Sequence, residues 1–320
     1  MHKKFFILFI FCFNVCIYTH EQNPVKLSVY QTEKNHYSVN LYIPSKLIQI
    51  SKIYAEFTEC DITNQIKIYR DANFNKTQYD IFCQNELNTI KIVNLDKNIF
   101  QVFANIDTLD GSRRVIFSPN FTEYNFINYK QQNEYLEYLK LGISHLLSGF
   151  DHLLFILALS FISLGLISLI KLVTSFTIGH SITLFLSVTN LISLNQSFVE
   201  IIIAATLILI SYDVWKIKFN PINRPNMTIL ICFIFGLVHG LGFAGVLKEI
   251  GFENSDILAP LLMFNIGIEL AQVLLILFFM IFLKFLYKIN INKYHIAPFV
   301  SYFISICGAY WLIERVADVL

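Results

Sequence analysis

Charge is what this chain of 320 residues has least of. Only 15% of it is Asp, Glu, Lys or Arg, against roughly 25% in an ordinary soluble protein. The formal net charge is +1 and no basic patch is concentrated anywhere, which argues against a nucleic-acid partner. No ATP-binding motif and no domain for phosphate chemistry is present, so any transport is not driven by hydrolysis in this chain. A His-Glu-x-x-His zinc motif is also missing. Cysteine is sparse in the apolar half: Cys232 and Cys307 sit in apolar helices, where a thiol behaves as a small apolar residue, so a thiolate metal site is not expected.

Apolar residues are in excess, at 55% of the chain, and they are unevenly placed. Residues 20–140 are ordinary and polar. From Leu141 onward, long apolar stretches follow one another, each near the roughly 20 residues needed to cross a bilayer. The expected architecture is a small all-β sandwich domain followed by an α-helical polytopic membrane domain of about six spans. The opening "MHKKFFILFIFCFNVCIYTH" has Lys3 and Lys4, then an apolar run too short for a comfortable span. That is the layout of a secretory signal covering residues 1–19, with an uncleaved anchor as the alternative.

Residues 20–128 read as β. "VKLSVYQ", "YSVNLYIP", "SKIYAEF", "NQIKIY", "TIKIVNL" and "FQVFANI" are short, rich in β-branched and aromatic residues, and separated by turn residues. "TLDGSRRVIFSP" adds an Asp-Gly hairpin signal, and a small antiparallel sandwich follows from these features. Cys60 and Cys83 are the only cysteine pair in this domain. Export suggests a disulfide between them, although spacing alone leaves two free thiols open. Residues 129–138 read as a linker.

Residues 139–320 hold the six expected spans, at about 139–163, 167–191, 197–216, 227–247, 257–286 and 296–315. With the β domain outside the cell, the inside loops carry Lys171, then Lys216, Lys218 and Arg224, then Lys284, Lys288 and Lys293. The outside loops "SLNQS" and "KEIGFENSD" are uncharged and net acidic. The export signal and the positive-inside rule therefore agree on an inner-membrane protein with an extracytoplasmic N-terminal domain.

Depth then gathers the polar residues. At about 1.5 Å per helical residue, Asp151, His152, His180, His239 and Glu269 all lie near the membrane midplane. Asn265 and Gln272 flank Glu269 on its own helix. Ionisable groups at that depth are costly unless they pair, face water or bind an ion. One intramembrane histidine is accounted for by a bond between helices, but five groups of these types suit a divalent transition metal such as nickel, cobalt or zinc.

His145 and His152 are seven residues apart in "HLLSGFDHLLF", which on a straight helix leaves them about 10 Å apart. Either the helix bends near Gly149, or His145 belongs to a second, outer position level with Glu200. The spacing favours two stations along a path. Glu200 then faces the exterior, with a helix-capping role at the interface as its alternative.

These segments together resemble the HupE/UreJ family of membrane proteins. "GISHLLSGFDHLLFILAL", "VTSFTIGHSITLFLS", "FVEIIIAATLIL", "FGLVHGLGFAGVLKEIG" and "LLMFNIGIELAQ" are similar to that family's segments in order. "ECDI…DIFCQ" and "LDGSRRVIFSP" resemble the exported domain of its two-domain subgroup. "LILISYDVW" departs from the pattern, because Asp213 and Trp215 replace a more apolar helix end. The resemblance implies a nickel or cobalt permease of the inner membrane, with a metalloenzyme-maturation partner as a candidate. It also implies that His145, Asp151, His152, His180 and His239 form the metal path; Glu200 and Glu269 are added from depth.

Three functions remain in view. The first is a permease for a divalent metal, nickel or cobalt, as substrate. The second is an intramembrane zinc hydrolase, with Glu269 as base. The third is an accessory protein that senses metal or delivers it through its β domain.

Overall fold

The computed structural model describes residues 25–45, 52–70, 74–95, 101–119, 121–126, 134–163, 165–217, 225–249, 257–317 and 319. The expected signal segment, 1–19, lies outside them. The chain divides into a β unit and a helical unit.

Among the described residues the β unit has ten strands, from β1 (Val25–Glu33) to β10 (Glu123–Asn125), in two sheets. The larger runs β4 (Cys60–Ile62), β6 (Phe74–Cys83), β2 (His36–Pro44), β1, β8 (Val102–Thr108), β9 (Gly111–Phe117), with β5 (Lys67–Arg70) also on β6, and the smaller runs β10, β7 (Thr89–Val93), β3 (Tyr54–Phe57). Alternation drives the layering: Val25, Leu27 and Val29 of β1 (Val25–Glu33) and Val39 and Leu41 of β2 (His36–Pro44) are buried. From the smaller sheet, Ile90 and Ile92 of β7 (Thr89–Val93) and Tyr124 enter the same core. Each fully buried aliphatic side chain contributes about 1.5–3 kcal/mol. Tyr79 on β6 (Phe74–Cys83) links the layers, donating its hydroxyl to the Ala55 carbonyl of β3 (Tyr54–Phe57) at 3.4 Å.

The sheet is not purely antiparallel as expected. β1 pairs in parallel with β8 (Val102–Thr108), from Val25↔Val102 to Tyr30↔Asp107. A parallel pair needs a crossover connection, and here the intervening strands supply it. The Asp110-Gly111 turn joins β8 to β9 (Gly111–Phe117), with Gly111 at φ 140°, where a side chain is disfavoured. Cys60 of β4 (Cys60–Ile62) lies opposite Cys83 of β6 in register, and the two form a disulfide.

The helical unit contains α1 (Glu134–Ser148), α2 (Phe150–Ile162), α3 (Leu166–Val188), α4 (Gln196–Lys216), α5 (Pro225–Glu249), α6 (Leu258–Lys288) and α7 (Lys293–Ala317). Helix α1 begins at Glu134, so the end of the expected linker is already helical. Helices α3, α4, α6 and α7 are each long and apolar enough to cross a membrane. Helices α1 and α2 together make a fifth candidate span, bent by 72° at Gly149. The remaining expected span, the fourth at 227–247, falls on α5, whose stretch Thr228–Phe243 is apolar but shorter than a span among the described residues. On α6 the exposed residues Leu262, Ile266, Leu270, Leu274 and Ile281 form the apolar surface that a lipid-facing helix requires.

Glycines set the closest helix contacts. A Cβ added at Gly236 of α5 would run into the Phe176 carbonyl of α3, and one at Gly179 of α3 into the Phe233 carbonyl of α5. Gly142 of α1 and Gly267 of α6 form the same reciprocal contact, against Phe264 and Leu139. Without a hydrophobic drive between helices in lipid, such backbone-close seams supply much of the packing. Hydroxyls join α4 to α7: Ser301 donates to the Ser211 carbonyl at 2.7 Å, and Ser211 bonds Ser305. Cys232 is a free, buried thiol, as expected, whereas Cys307 is disulfide-bonded and so is not the free thiol expected there.

Candidate metal centre

The break at Gly149 creates the centre. Gly149 has extended backbone, φ −78° and ψ 102°, between the end of α1 and the start of α2. His145 lies in the last turn of α1, and Asp151 and His152 in the first turn of α2. The bend folds the two histidines together, with ring centroids 4.9 Å apart. They therefore belong to one cluster, and the two stations that a straight helix would give do not form.

His180, from the middle of α3, completes the group. One ligand nitrogen from each of His145, His152 and His180 lies within 4.8 Å of the others. Nitrogens about 2.0–2.1 Å from one transition metal are themselves about 3 Å apart, so small ring rotations close the remaining gap. His239 of α5 stands next to them, its ring centroid 5.3 Å from that of His152. The glycine seam sets this adjacency, because Gly240 packs against the His180 carbonyl and Gly236 against the His180 backbone nitrogen.

Hydrogen bonding fixes how these rings present themselves. His239 Nδ1 donates to the Phe235 carbonyl at 2.8 Å, which leaves the lone pair on Nε2. His152 Nδ1 donates to Asp151 Oδ1 at 3.0 Å, so its lone pair is on Nε2 as well. Asp151 Oδ1 also accepts from the His152 backbone N–H at 2.8 Å, at the helix end where a carboxylate is favoured. A carboxylate holding the far nitrogen of an imidazole is the usual outer support of a metal-ligating histidine.

The four residues are 8, 4, 0 and 3% exposed for His145, His152, His180 and His239. His145 Nε2, His152 Nε2, both nitrogens of His180 and His239 Nε2 are buried with no hydrogen-bond partner among the described residues. Buried polar atoms are nearly always paired, and orphans gathered on three mutually close rings, with His239 beside them, are what a ligand site leaves. Aromatic rings enclose them: Phe243 is 4.0 Å from His145, Phe176 is 5.0 Å from His239, and Phe264 lies 5.5 Å from His145. The donor set is all-nitrogen in an apolar box, which suits zinc, nickel or cobalt more than a hard oxygen-seeking ion.

The two glutamates lie elsewhere. Glu200 of α4 pairs with Arg315 of α7, Nε to Oε2 at 3.2 Å, and also accepts from Gln196. Glu269 of α6 accepts a short hydrogen bond from Thr174 of α3. Next to it, Thr177 donates to Gln272 at 2.8 Å. Neither glutamate is in the three-histidine group. Asp213, at the atypical end of α4, pairs with Lys216 at 3.9 Å, a local contact within one helix.

Sequence reasoning missed the aromatic enclosure and the Arg315 partner of Glu200. A helical-face reading of α3 places Phe176 one turn from His180, so that part was available. Arg315 is 115 residues from Glu200, and nothing local to either signals the other.

A bundle of apolar helices carrying buried imidazoles on four of them defines a polytopic membrane protein with a candidate metal centre. Its family is shown by comparison: the HupE / UreJ protein model matches residues 122–315. The chain belongs to the HupE/UreJ family. The match begins at the last β strand, so most of the β unit lies outside the matched range. No curated protein matches the chain.

Proposed function

We propose that the protein is an inner-membrane permease for a divalent transition metal, nickel or cobalt, with the β domain outside the cell. The convergence of five unpartnered, buried imidazole nitrogens from four histidines carries this reading. His145, His152, His180 and His239 receive the ion as substrate. Asp151 orients His152 and offsets the positive charge. Glu269 and Glu200 take flanking positions in the path rather than places in the imidazole group.

An enzymatic reading needs a free carboxylate beside the metal to activate water. Asp151 is the carboxylate next to the rings, and its Oδ1 is held by His152. Passage of an ion asks for less: lone pairs aimed inward, a dry wall, and no general base.

The test is metal binding by purified full-length protein together with metal accumulation in cells. His152→Ala and His239→Ala should each remove nickel and cobalt binding and abolish accumulation while the protein is still made and inserted. Unchanged uptake of nickel, cobalt and zinc in both variants would sink the proposal.

A further inference from the structure

A half-open cavity of about 520 Å³ lies where α2 ends, α3 begins, α6 ends and α7 begins. Lys284 and Lys293 line it together with Asn292, Tyr287 and Tyr294, and among the described residues no Asp or Glu does. Neither lysine has a carboxylate partner among the described residues. Lys293 is held in place: its Nζ lies 3.3 Å from both the Phe161 and Ser163 carbonyls, at the negative end of α2. Two of its three N–H donors are thereby engaged, and its charge remains uncompensated by any acid. The Asn292 side chain caps α7 on the same rim, accepting from the Tyr294 backbone N–H at 3.1 Å.

Ser160, Ser163 and Gly165 also line it, and Leu169, Met280 and Leu283 make an apolar wall. A free inorganic anion has no use for such a wall, and the volume falls in the range of about 300–1,000 Å³ typical of organic-ligand pockets. Position adds a second constraint. This is the end where the lysines of the loops gather, which the positive-inside rule assigns to the cytoplasmic leaflet. Anionic phospholipids enrich that leaflet, and basic pockets between helices on that side hold their headgroups.

We infer that this cavity binds the headgroup of an anionic phospholipid. The phosphodiester lies against Lys284 and Lys293, the tyrosine hydroxyls offer donors near the interface, and the first methylenes of an acyl chain cover Leu169, Met280 and Leu283. The site is separate from the imidazole cluster and does not depend on what passes there.

The experiment uses the full-length protein, delipidated in detergent and returned to nanodiscs of phosphatidylglycerol or of phosphatidylcholine, with inorganic phosphate in a third arm. Native mass spectrometry reads retained lipid, and thermal unfolding reads stabilisation. Phosphatidylglycerol should be retained and raise the melting temperature, whereas phosphatidylcholine should do neither. Lys284→Gln, an exposed position outside the α2 contact, should weaken retention roughly fivefold, and adding Lys293→Gln should weaken it further by a similar factor. Equal retention of the two lipids, or retention unaltered in Lys284→Gln, overturns the inference. Stabilisation by inorganic phosphate as large as that by phosphatidylglycerol also overturns it, in favour of a soluble phosphate ligand.

Discussion

Replacing Gly149 by alanine tests the centre with one methyl group. A Cβ at Gly149 would stand 2.5 Å from His152 Nδ1, 3.0 Å from Asp151 Oδ1 and 3.2 Å from the His145 carbonyl. Its backbone angles are open to any residue, so the effect is steric and local, not a refusal of the chain to bend. The methyl must push the His152 ring away from Asp151, which breaks the bond that fixes its tautomer. A charge-assisted hydrogen bond of this kind is worth about 1.5–3 kcal/mol, which converts to roughly 10–150-fold in affinity. That range agrees with the 10–100-fold loss typical when the outer support of a metal ligand is removed. Global stability should fall modestly, because the roughly 0.4–1 kcal/mol that glycine-to-alanine changes gain at compatible backbone angles does not offset the lost hydrogen bond. Calorimetric titration of purified Gly149→Ala with nickel and cobalt should show that loss, with unchanged helical circular dichroism. Binding within about threefold of wild type, in a folded variant, would refute the link between the bend and the site, since less than 0.7 kcal/mol would then be at stake.

Two further outcomes are expected. The Arg315–Glu200 pair joins α7 to α4 with side chains only 10% and 26% exposed. Arg315→Met alone should therefore cost roughly 3 kcal/mol of unfolding stability, and adding Glu200→Gln should restore most of it. Simple additivity in that double-mutant cycle, measured by denaturant unfolding in detergent, would contradict a coupled pair. In the β unit, burial pushes the Tyr79 phenol up to about 12. The unfolded chain then loses this proton from about pH 10 upward while the folded chain keeps it, so stability present below pH 10 falls by up to about 1.4 kcal/mol per pH unit toward pH 12. Tyr79→Phe should remove that part of the alkaline slope, as read by tyrosinate absorbance during unfolding; an identical slope in the variant would count against it.

Much of this architecture was legible because its causes are local. Alternation in "VKLSVYQ" and "YSVNLYIP" gave strands with one buried face, and the Asp-Gly pair gave the β8–β9 turn. Run length gave the apolar helices, and histidines at matching depths gave the side chains that do converge. What escaped was long-range or angular. The parallel partner of β1 is β8, which begins 77 positions later by register (Val25↔Val102), and β-branched alternation reads the same beside either kind of neighbour. At "LLSGFD" the sequence offers a glycine where a bend is allowed, but the angle of 72° comes from how α1 and α2 pack. That angle turned an expected pair of stations into a single cluster. Glu269 and Glu200 were placed by depth, which sets height in the bilayer but not the side of the helix a carboxylate occupies.

The reciprocal glycine contacts of α3 and α5 divide the imidazole cluster into unlike halves. His180 is carried on a seam where backbone touches backbone, against Gly236 and Gly240 on the helix that bears His239. At that contact Gly236 and Gly240 meet backbone and the small Thr183 hydroxyl, which leaves little side chain to be compressed or swapped, so that half has a fixed gauge. His145 and His152 sit on separate arms of a bent rod. Their separation is set by one angle at one residue, and opening that angle spreads them while leaving the α3–α5 seam untouched. The centre thus has the mechanics of a calliper, with one jaw fixed and the other jointed at Gly149.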